Sequence, residues 1–548
     1  MNILKSKNRK KLIKKIEEES YDLLIIGGGV TGAGIALDAA TRGLKTVLIE
    51  KKDFASGTSS KSTKLIHGGL RYLKQFEIAL VREVGRERAV VHNLAPHLVK
   101  NEKMILPLIK DGTYGKMLTS FGLMVYDVLA GVEKEDQRKM LTKEETLEIE
   151  PSLRPDILEG GGIYAEYRTD DARLTMEILK TATHFGAHVI NYAEATEFIY
   201  TDNKISGVTW EDKLSGKQHK LSAKYTISAA GPWVDKLREK NKSLSGKHLH
   251  PTKGVHIVVA RERFPVDHAM YFDVPDGRMI FAVPRDRTTY IGTTDTDYHG
   301  DLDDVRTDMS DVQYLIDGVN HIFPSVDLKV EDVESTWAGL RPLIEEEGKS
   351  ASELSRKDEI FESETGLLSI AGGKLTGYRK MAERILDKVT EKIKAEYDLE
   401  VKACQTETTV LQGGVFAGTK DVKRYQQGLE KRLAMMHQDL VTYSEYLVST
   451  YGRQSDDILG YYDEKVDDAH VALVMAELEF TLENEAAFTL LDFFERRTGR
   501  LYFHISSIEP SKIQVADRMA EYFEWTDERK KQQLEDLNRA IHLSKNFE

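Results

Sequence analysis

Tyr21-Asp22-Leu23-Leu24-Ile25-Ile26-Gly27-Gly28-Gly29-Val30-Thr31-Gly32 is an apolar strand that runs into a glycine turn and then a helix. The spacing is that of a dinucleotide cradle. Gly27 allows the tight turn, Gly29 lets backbone approach a pyrophosphate, and Gly32 permits close helix–strand packing, while free amides at the helix start attract phosphate. A helix-like stretch, Thr31–Arg42, leads to a second strand, Thr46-Val47-Leu48-Ile49, which ends on Glu50, in place to accept hydrogen bonds from an adenosine ribose. FAD and NAD use this turn alike, so these residues leave both open.

A chain of 548 residues exceeds one core and implies two or three domains, with 41% hydrophobic residues ordinary for a globular protein. Against 77 Lys and Arg stand 90 Asp and Glu, a formal charge of −13. That balance disfavours nucleic acid, whose backbone needs clustered cations, and any anionic substrate must meet a local basic site. The one cysteine, Cys404, excludes an intrachain disulfide and multi-cysteine metal or iron–sulfur sites, and no metal is expected. A reducing cytoplasm fits. No apolar run approaches the ~20 residues of a membrane span, and the N-terminus lacks a signal-peptide core. Residues 1–20 form a basic leader whose lysines, interleaved with Leu12, Ile13 and Ile16, suit either a solvated, frayed segment or a helix on anionic lipid; the frayed segment is the expectation. Leu118–Val132 is apolar but interrupted by Asp127, and is expected to be a buried helix.

Further strands are expected at Gly161-Gly162-Ile163-Tyr164, at 188–192 and at 225–230, the last closing on Gly231-Pro232-Trp233. A strand ending in small residues would pack beside the first glycine turn, as if the sheet resumed after an insertion. From Thr252 to Asp295 three strand-like runs separated by charged or proline-containing turns suggest an antiparallel substrate-binding sheet. Leu367-Leu368-Ser369-Ile370-Ala371 then enters Gly372-Gly373 and a helical pattern from about Leu375. Beyond about residue 400 the chain is charged and helix-periodic, with Asp467–Glu483 and Thr526–Ser544 as examples. The expected class is α/β: a Rossmann-like nucleotide-binding domain (21–90, 161–250, 346–395), a mostly helical insertion (91–160), an inserted β-sheet domain (251–345) and an all-α C-terminal domain (396–548).

Cations and polar groups gather on glycine-bearing turns in four places: Thr58–Tyr72, Lys253–His256, Gly339–Leu343 with Arg356 nearby, and Gly372–Thr376. Singly, each has an ordinary explanation as a solvated or paired charge. Together with Ile25–Gly34, Asp170–Leu174, Ala230–Trp233, Gly292–Asp295 and Gly372–Arg379, they resemble the FAD-dependent glycerol-3-phosphate dehydrogenases, in the same order from about Tyr21 to Arg379. Asp492-Phe493-Phe494-Glu495-Arg496-Arg497-Thr498 resembles a segment of that family's C-terminal helical domain.

The resemblance implies FAD as cofactor and sn-glycerol 3-phosphate as substrate, oxidised to dihydroxyacetone phosphate. It places the pyrophosphate on Gly27, Gly29 and Gly32, the ribose on Glu50, and further flavin contacts on Thr58, Ser59, Ser62, Lys64, Leu65, His67 and Gly231. The isoalloxazine edge falls on Gly373, Lys374, Leu375 and Thr376. Arg71, Tyr72, Arg341 and Arg356 would hold the substrate, chiefly its phosphate, while His256 and Lys374 face the reacting carbinol. A histidine titrating near neutrality suits removal of the hydroxyl proton, and arginine forks suit a phosphate. Lys374 would stabilise the developing alkoxide or serve the flavin.

Related alpha-glycerophosphate oxidases use oxygen and typically carry an extra insertion before the C-terminal domain; none is evident between Arg341 and Gly372. This favours a dehydrogenase that passes electrons to a membrane quinone, with peripheral association at the inner face of the cell membrane left open. An amine or amino-acid oxidase and a non-catalytic flavin sensor are the other readings. Association into a homo-oligomer also stays open.

Overall fold

The computed structural model describes residues 2–67, 78–112, 137–345 and 358–547. Among these, the strands form a sheet of eight and a sheet of ten. In the first, Leu367–Gly372, Lys217–Ser228, Ser20–Ile26, Thr46–Ile49 and His188–Ile190 run parallel in that order. Leu23, Leu24, Ile25, Val47, Leu48 and Ile227 are fully buried, as parallel strands covered on both faces must be. The first covering helix, Val30–Thr41, is rich in Gly and Ala, so backbones come close. A Cβ on Gly34 would stand 2.9 Å from the Tyr378 ring of the helix Tyr378–Tyr397. The sheet does resume beside the glycine turn: Ile26 pairs with Ser228, and a Cβ on Gly27 would lie 2.5 Å from the Ala229 carbonyl.

The second sheet is mixed, not purely antiparallel, because Ala269–Asp273 runs parallel to Lys100–Ile109. The segment Gly161–Tyr164, expected in the nucleotide-binding portion, belongs here: it lies in Leu158–Arg168 and pairs with Lys100–Ile109, Met104 opposite Tyr164. Periodicity could not show this, since the partner strand sits in a stretch expected to be mostly helical; in 91–160 the structure has strands Lys100–Ile109 and Lys139–Leu141 besides the helix Lys143–Ile149. Leu118–Val132 lies outside the described residues.

The basic leader is docked rather than frayed. Arg9–Glu18 is a helix whose Leu12 and Ile16 are buried in one cluster with Trp210 and Ile190, and Arg9 is ion-paired to Asp212 at 2.6 Å. Apolar residues at helical spacing found a protein groove, leaving the lysines outside. Among the described residues no helix is long and apolar enough to cross a membrane.

The C-terminal part is helical, including Ala469–Asn484 and Asp527–Lys545. It is tied to the nucleotide-binding part by a buried ionic network. Asp53, three residues after Glu50, accepts from Arg496 Nε at 2.6 Å, from Arg497 at 2.8 and 2.9 Å, and from Asn191 at 2.8 Å. Arg173 forks onto Glu485 at 2.7 and 2.8 Å, and Arg497 donates to the Glu485 carbonyl.

Burial acts to raise the Asp53 carboxyl, but Arg497 and Arg496 hold it down to about 2. Asp53→Ala leaves the buried Arg497 without its ion-paired carboxylate, while Arg496 keeps Asp492 and Glu495, and is expected to cost about 3–5 kcal/mol, read as a lowered unfolding midpoint. Because the folded value lies below the unfolded ~3.9, the carboxylate's contribution is complete above that value and lost as pH falls toward 2. The stability gap between the wild type and Asp53→Asn should therefore be constant above about pH 5 and narrow below it.

Candidate functional site

The glycine turn opens a cavity of about 320 Å³. Its geometry follows from missing side chains: a Cβ on Gly32 would sit 1.9 Å from the Gly27 carbonyl, and Gly27 has φ +120°, a conformation that favours glycine. Ser59 Oγ accepts the Val30 N–H at 2.9 Å, fixing the loop across the helix start. Glu50 lines the cavity with its carboxylate oriented by the amides of Gly28 (2.6 Å) and Lys52 (2.9 Å). Burial pushes the Glu50 carboxyl up and these amides act against it. A half-buried, oriented acceptor at the end of the second strand and a backbone-only cradle at the helix start fit a dinucleotide.

A second cavity, of about 130 Å³, is continuous with the first: Thr58, Ser62, Pro342, Gly373, Lys374 and Leu375 line both. It lies between the two sheets. Strand Leu249–Ala260 is paired on one side with Thr288–Gly292 and on the other with Val333–Ile344, so His256 stands between Gly292 and Trp337. The His256 ring stacks on Trp337 at 4.8 Å and 11° and accepts or donates at Nε2 with Thr63 Oγ1 at 3.0 Å. Burial, then the charges of Arg341 and Lys64, hold its pKa well below the ordinary value, so the ring is neutral at neutral pH. Arg341 folds over Gly254, where a Cβ would be 2.4 Å from the guanidinium, and is held by Thr293 Oγ1 (3.0 Å) and Asp295 (3.2 Å).

The expected residues are placed as follows. Gly27, Gly29, Glu50, Thr58, Ser59 and Gly231 line the first cavity. Leu65, His67, His256, Arg341 and Thr376 line the second, and Thr58, Ser62, Gly373, Lys374 and Leu375 line both. Gly32 lines neither; its place is in helix–turn packing. Lys64 lines neither of these two cavities: its ammonium turns inward to Asp171 (2.5 Å) and the Ser60 carbonyl (3.0 Å), and it is 2% exposed. Ser62 also gives its hydroxyl to Asp171. Arg71, Tyr72 and Arg356 lie outside the described residues. Sequence reasoning did not single out Thr63, Trp337 or Asp295. Asp295 and Thr63 were within reach, as they lie in the quoted runs Gly292–Asp295 and Thr58–Tyr72; that Thr63 meets His256 is decided by the fold, and Trp337 is defined by strand register.

The model of the FAD dependent oxidoreductase family matches residues 22–379, and that of the C-terminal domain of alpha-glycerophosphate oxidase matches 404–530. The chain is 48% identical over 544 residues to the aerobic glycerol-3-phosphate dehydrogenase of Bacillus subtilis (98% of this chain, 97% of that one). It is 46% identical over 543 residues to that of Staphylococcus haemolyticus, with the same coverage. The crystal structure of the glycerol-3-phosphate dehydrogenase from Bacillus halodurans complexed with FAD superposes with a TM-score of 0.85 at 43% identity, covering 99% of both chains.

A methyl group at position 32 has no room against the Gly27 carbonyl. Gly32→Ala is therefore expected to yield protein without the yellow flavin absorbance, measured as bound FAD per chain after purification; full occupancy would show that the turn tolerates the shift.

Proposed function

We propose that this chain, which belongs to the FAD-dependent glycerol-3-phosphate dehydrogenase family, oxidises sn-glycerol 3-phosphate to dihydroxyacetone phosphate in the second cavity and delivers the electrons to a membrane quinone. FAD is the cofactor, and when bound it supplies the acceptor for the hydride that leaves C2. One observation carries the substrate assignment. In a protein of net charge −13, the second cavity is lined by Lys61, Arg341 and Lys374 and, among its described lining residues, by no carboxylate.

Such a lining suits a phosphate monoester, which carries nearly two negative charges at pH 7. Arg341 offers a fork already oriented by Asp295 and Thr293, so little freedom is lost when it binds. Arg71, Tyr72 and Arg356 belong to the same proposal as further phosphate contacts. His256, kept neutral, is the base for the C2 hydroxyl, and Lys374 supports the developing negative charge on that oxygen. Glu50 holds the ribose and the Gly27–Gly29 backbone the pyrophosphate.

Oxygen as acceptor is the second reading, favoured by the match of 404–530 to the C-terminal domain of alpha-glycerophosphate oxidase. Peripheral membrane contact belongs with the quinone reading; the lysine face of Arg9–Glu18 supports it, since Leu12 and Ile16 are already buried in the protein. The test is anaerobic addition of glycerol 3-phosphate to the yellow protein, then reoxidation with air or a soluble quinone. Bleaching followed by fast recovery only with quinone is expected. Bleaching with an amine instead, or no bleaching, removes the substrate assignment; fast recovery in air moves the acceptor to oxygen.

Two variants separate the roles. Arg341→Ala is expected to raise the substrate concentration for half-maximal flavin reduction with FAD retained; unchanged saturation would take Arg341 out of the phosphate site. His256→Ala is expected to slow flavin reduction by ~10²–10⁴-fold with little change in saturation, the loss typical of a general base. Reduction at the wild-type rate would assign the base to another group.

A further inference from the structure

His256 is almost sealed. It is 1% exposed, Trp337 covers one face, and Gly292 lies against the ring at Cδ2, where a Cβ would stand 2.1 Å from Cδ2 and 2.6 Å from Nε2. Nδ1 is buried with no hydrogen-bond partner among the described residues. The ring can therefore exchange a proton with the cavity only through Nε2, and Nε2 is occupied by Thr63 Oγ1 at 3.0 Å. Thr63 is half-buried and lines the second cavity together with Arg341 and Lys374. Its backbone is fixed on both sides: the Thr63 carbonyl accepts the Tyr290 hydroxyl at 3.1 Å, and the preceding Ser62 carbonyl accepts the Trp337 indole N–H at 3.2 Å. The hydroxyl thus stands at a set position between the base and the open space.

We propose that Thr63 is a catalytic residue that relays the proton of the substrate hydroxyl to His256. The inference rests on the reading of His256 as base. In the step, the C2 O–H bond breaks as an O–H bond forms on Thr63 Oγ1, and the Thr63 O–H bond breaks as an N–H bond forms on Nε2. The C2–H electron pair leaves with its hydrogen as hydride, for which a bound flavin is the oxidant, so the products are a ketone and an imidazolium. The Thr63 hydroxyl ends as it began. A hydroxyl serves because it donates and accepts at once. The relay requires a resting ring with its lone pair on Nε2 and its proton on Nδ1, the nitrogen without an acceptor among the described residues. The competing tautomer, with Nε2–H donated to Thr63, satisfies the ring better but leaves no basic nitrogen facing the cavity.

The experiment combines three measurements on the FAD-loaded protein. Nitrogen-15 NMR of histidine-labelled enzyme, with His256 assigned by difference from His256→Asn, is expected to show a neutral ring protonated at Nδ1; protonation at Nε2 overturns the relay. Thr63→Val is expected to slow anaerobic flavin reduction by ~10²-fold without moving half-saturation, and Thr63→Ser to restore it to within about threefold. In mixtures of H₂O and D₂O, two protons in flight give a bowed dependence of the wild-type rate on deuterium fraction; a straight line overturns the relay. Thr63→Val reducing flavin at the wild-type rate while His256→Ala is slow sinks the relay alone. A fast His256→Ala sinks the base reading itself. If Thr63→Val does not retain FAD, the tautomer and the isotope dependence of the wild type decide.

Discussion

The strand Leu249–Ala260 is hydrogen-bonded along both edges, and its register is the constraint from which the site follows. Side chains alternate along a strand, so Val255, Ile257 and Val259 enter the core under the helix Met309–Ile322, while Gly254, His256 and Val258 face the other way. A slip of one residue would put Val255 and Ile257 into the cavity and bury the imidazole in hydrocarbon. The three buried aliphatic residues oppose that slip. Two glycines complete the arrangement: the backbone at Gly292 admits the His256 ring and that at Gly254 admits the Arg341 guanidinium. The positions of His256 and Arg341, the proposed base and proposed phosphate clamp, are thus a product of core packing on the far face of the sheet.

The C-terminal helices support the same place from behind. Tyr502 and Phe503 pack on Trp337 at 5.3 and 5.7 Å, the Tyr502 carbonyl accepts the Ser335 hydroxyl at 2.6 Å, and Trp337 in turn carries the His256 ring. The same part of the chain sends Arg496 and Arg497 to Asp53, next to the strand end that presents Glu50. Removing one partner of a buried ion pair is costly, and here the network joins the Glu50 end of the first cavity to the helical domain. The two ends of the elongated site are therefore braced by one scaffold.

Charge is distributed with the same economy. The chain is acidic overall; Lys253 and Lys64 are paired with Asp308, Asp311 and Asp171, and Arg341 and Lys374 line the second cavity. What matters for an anionic ligand is which cations keep a face toward the cavity. Arg341 is oriented by Asp295 and also lines that cavity.

Local chemistry was enough for the parts of this molecule whose function is carried by backbone. The Gly27–Gly32 turn, the apolar strands beside it and the return at Ala229–Gly231 are legible because glycine and continuous burial leave marks at fixed short spacing. Family resemblance added Arg341, His256 and Lys374. Only tertiary structure decided that Lys64 is spent on Asp171, that Gly161–Tyr164 belongs to the second sheet, that the basic leader is docked, and that Thr63 and Trp337 flank His256. Each of these depends on a partner more than a hundred residues away, or on strand register, and a pairwise contact of that range has no local period to betray it.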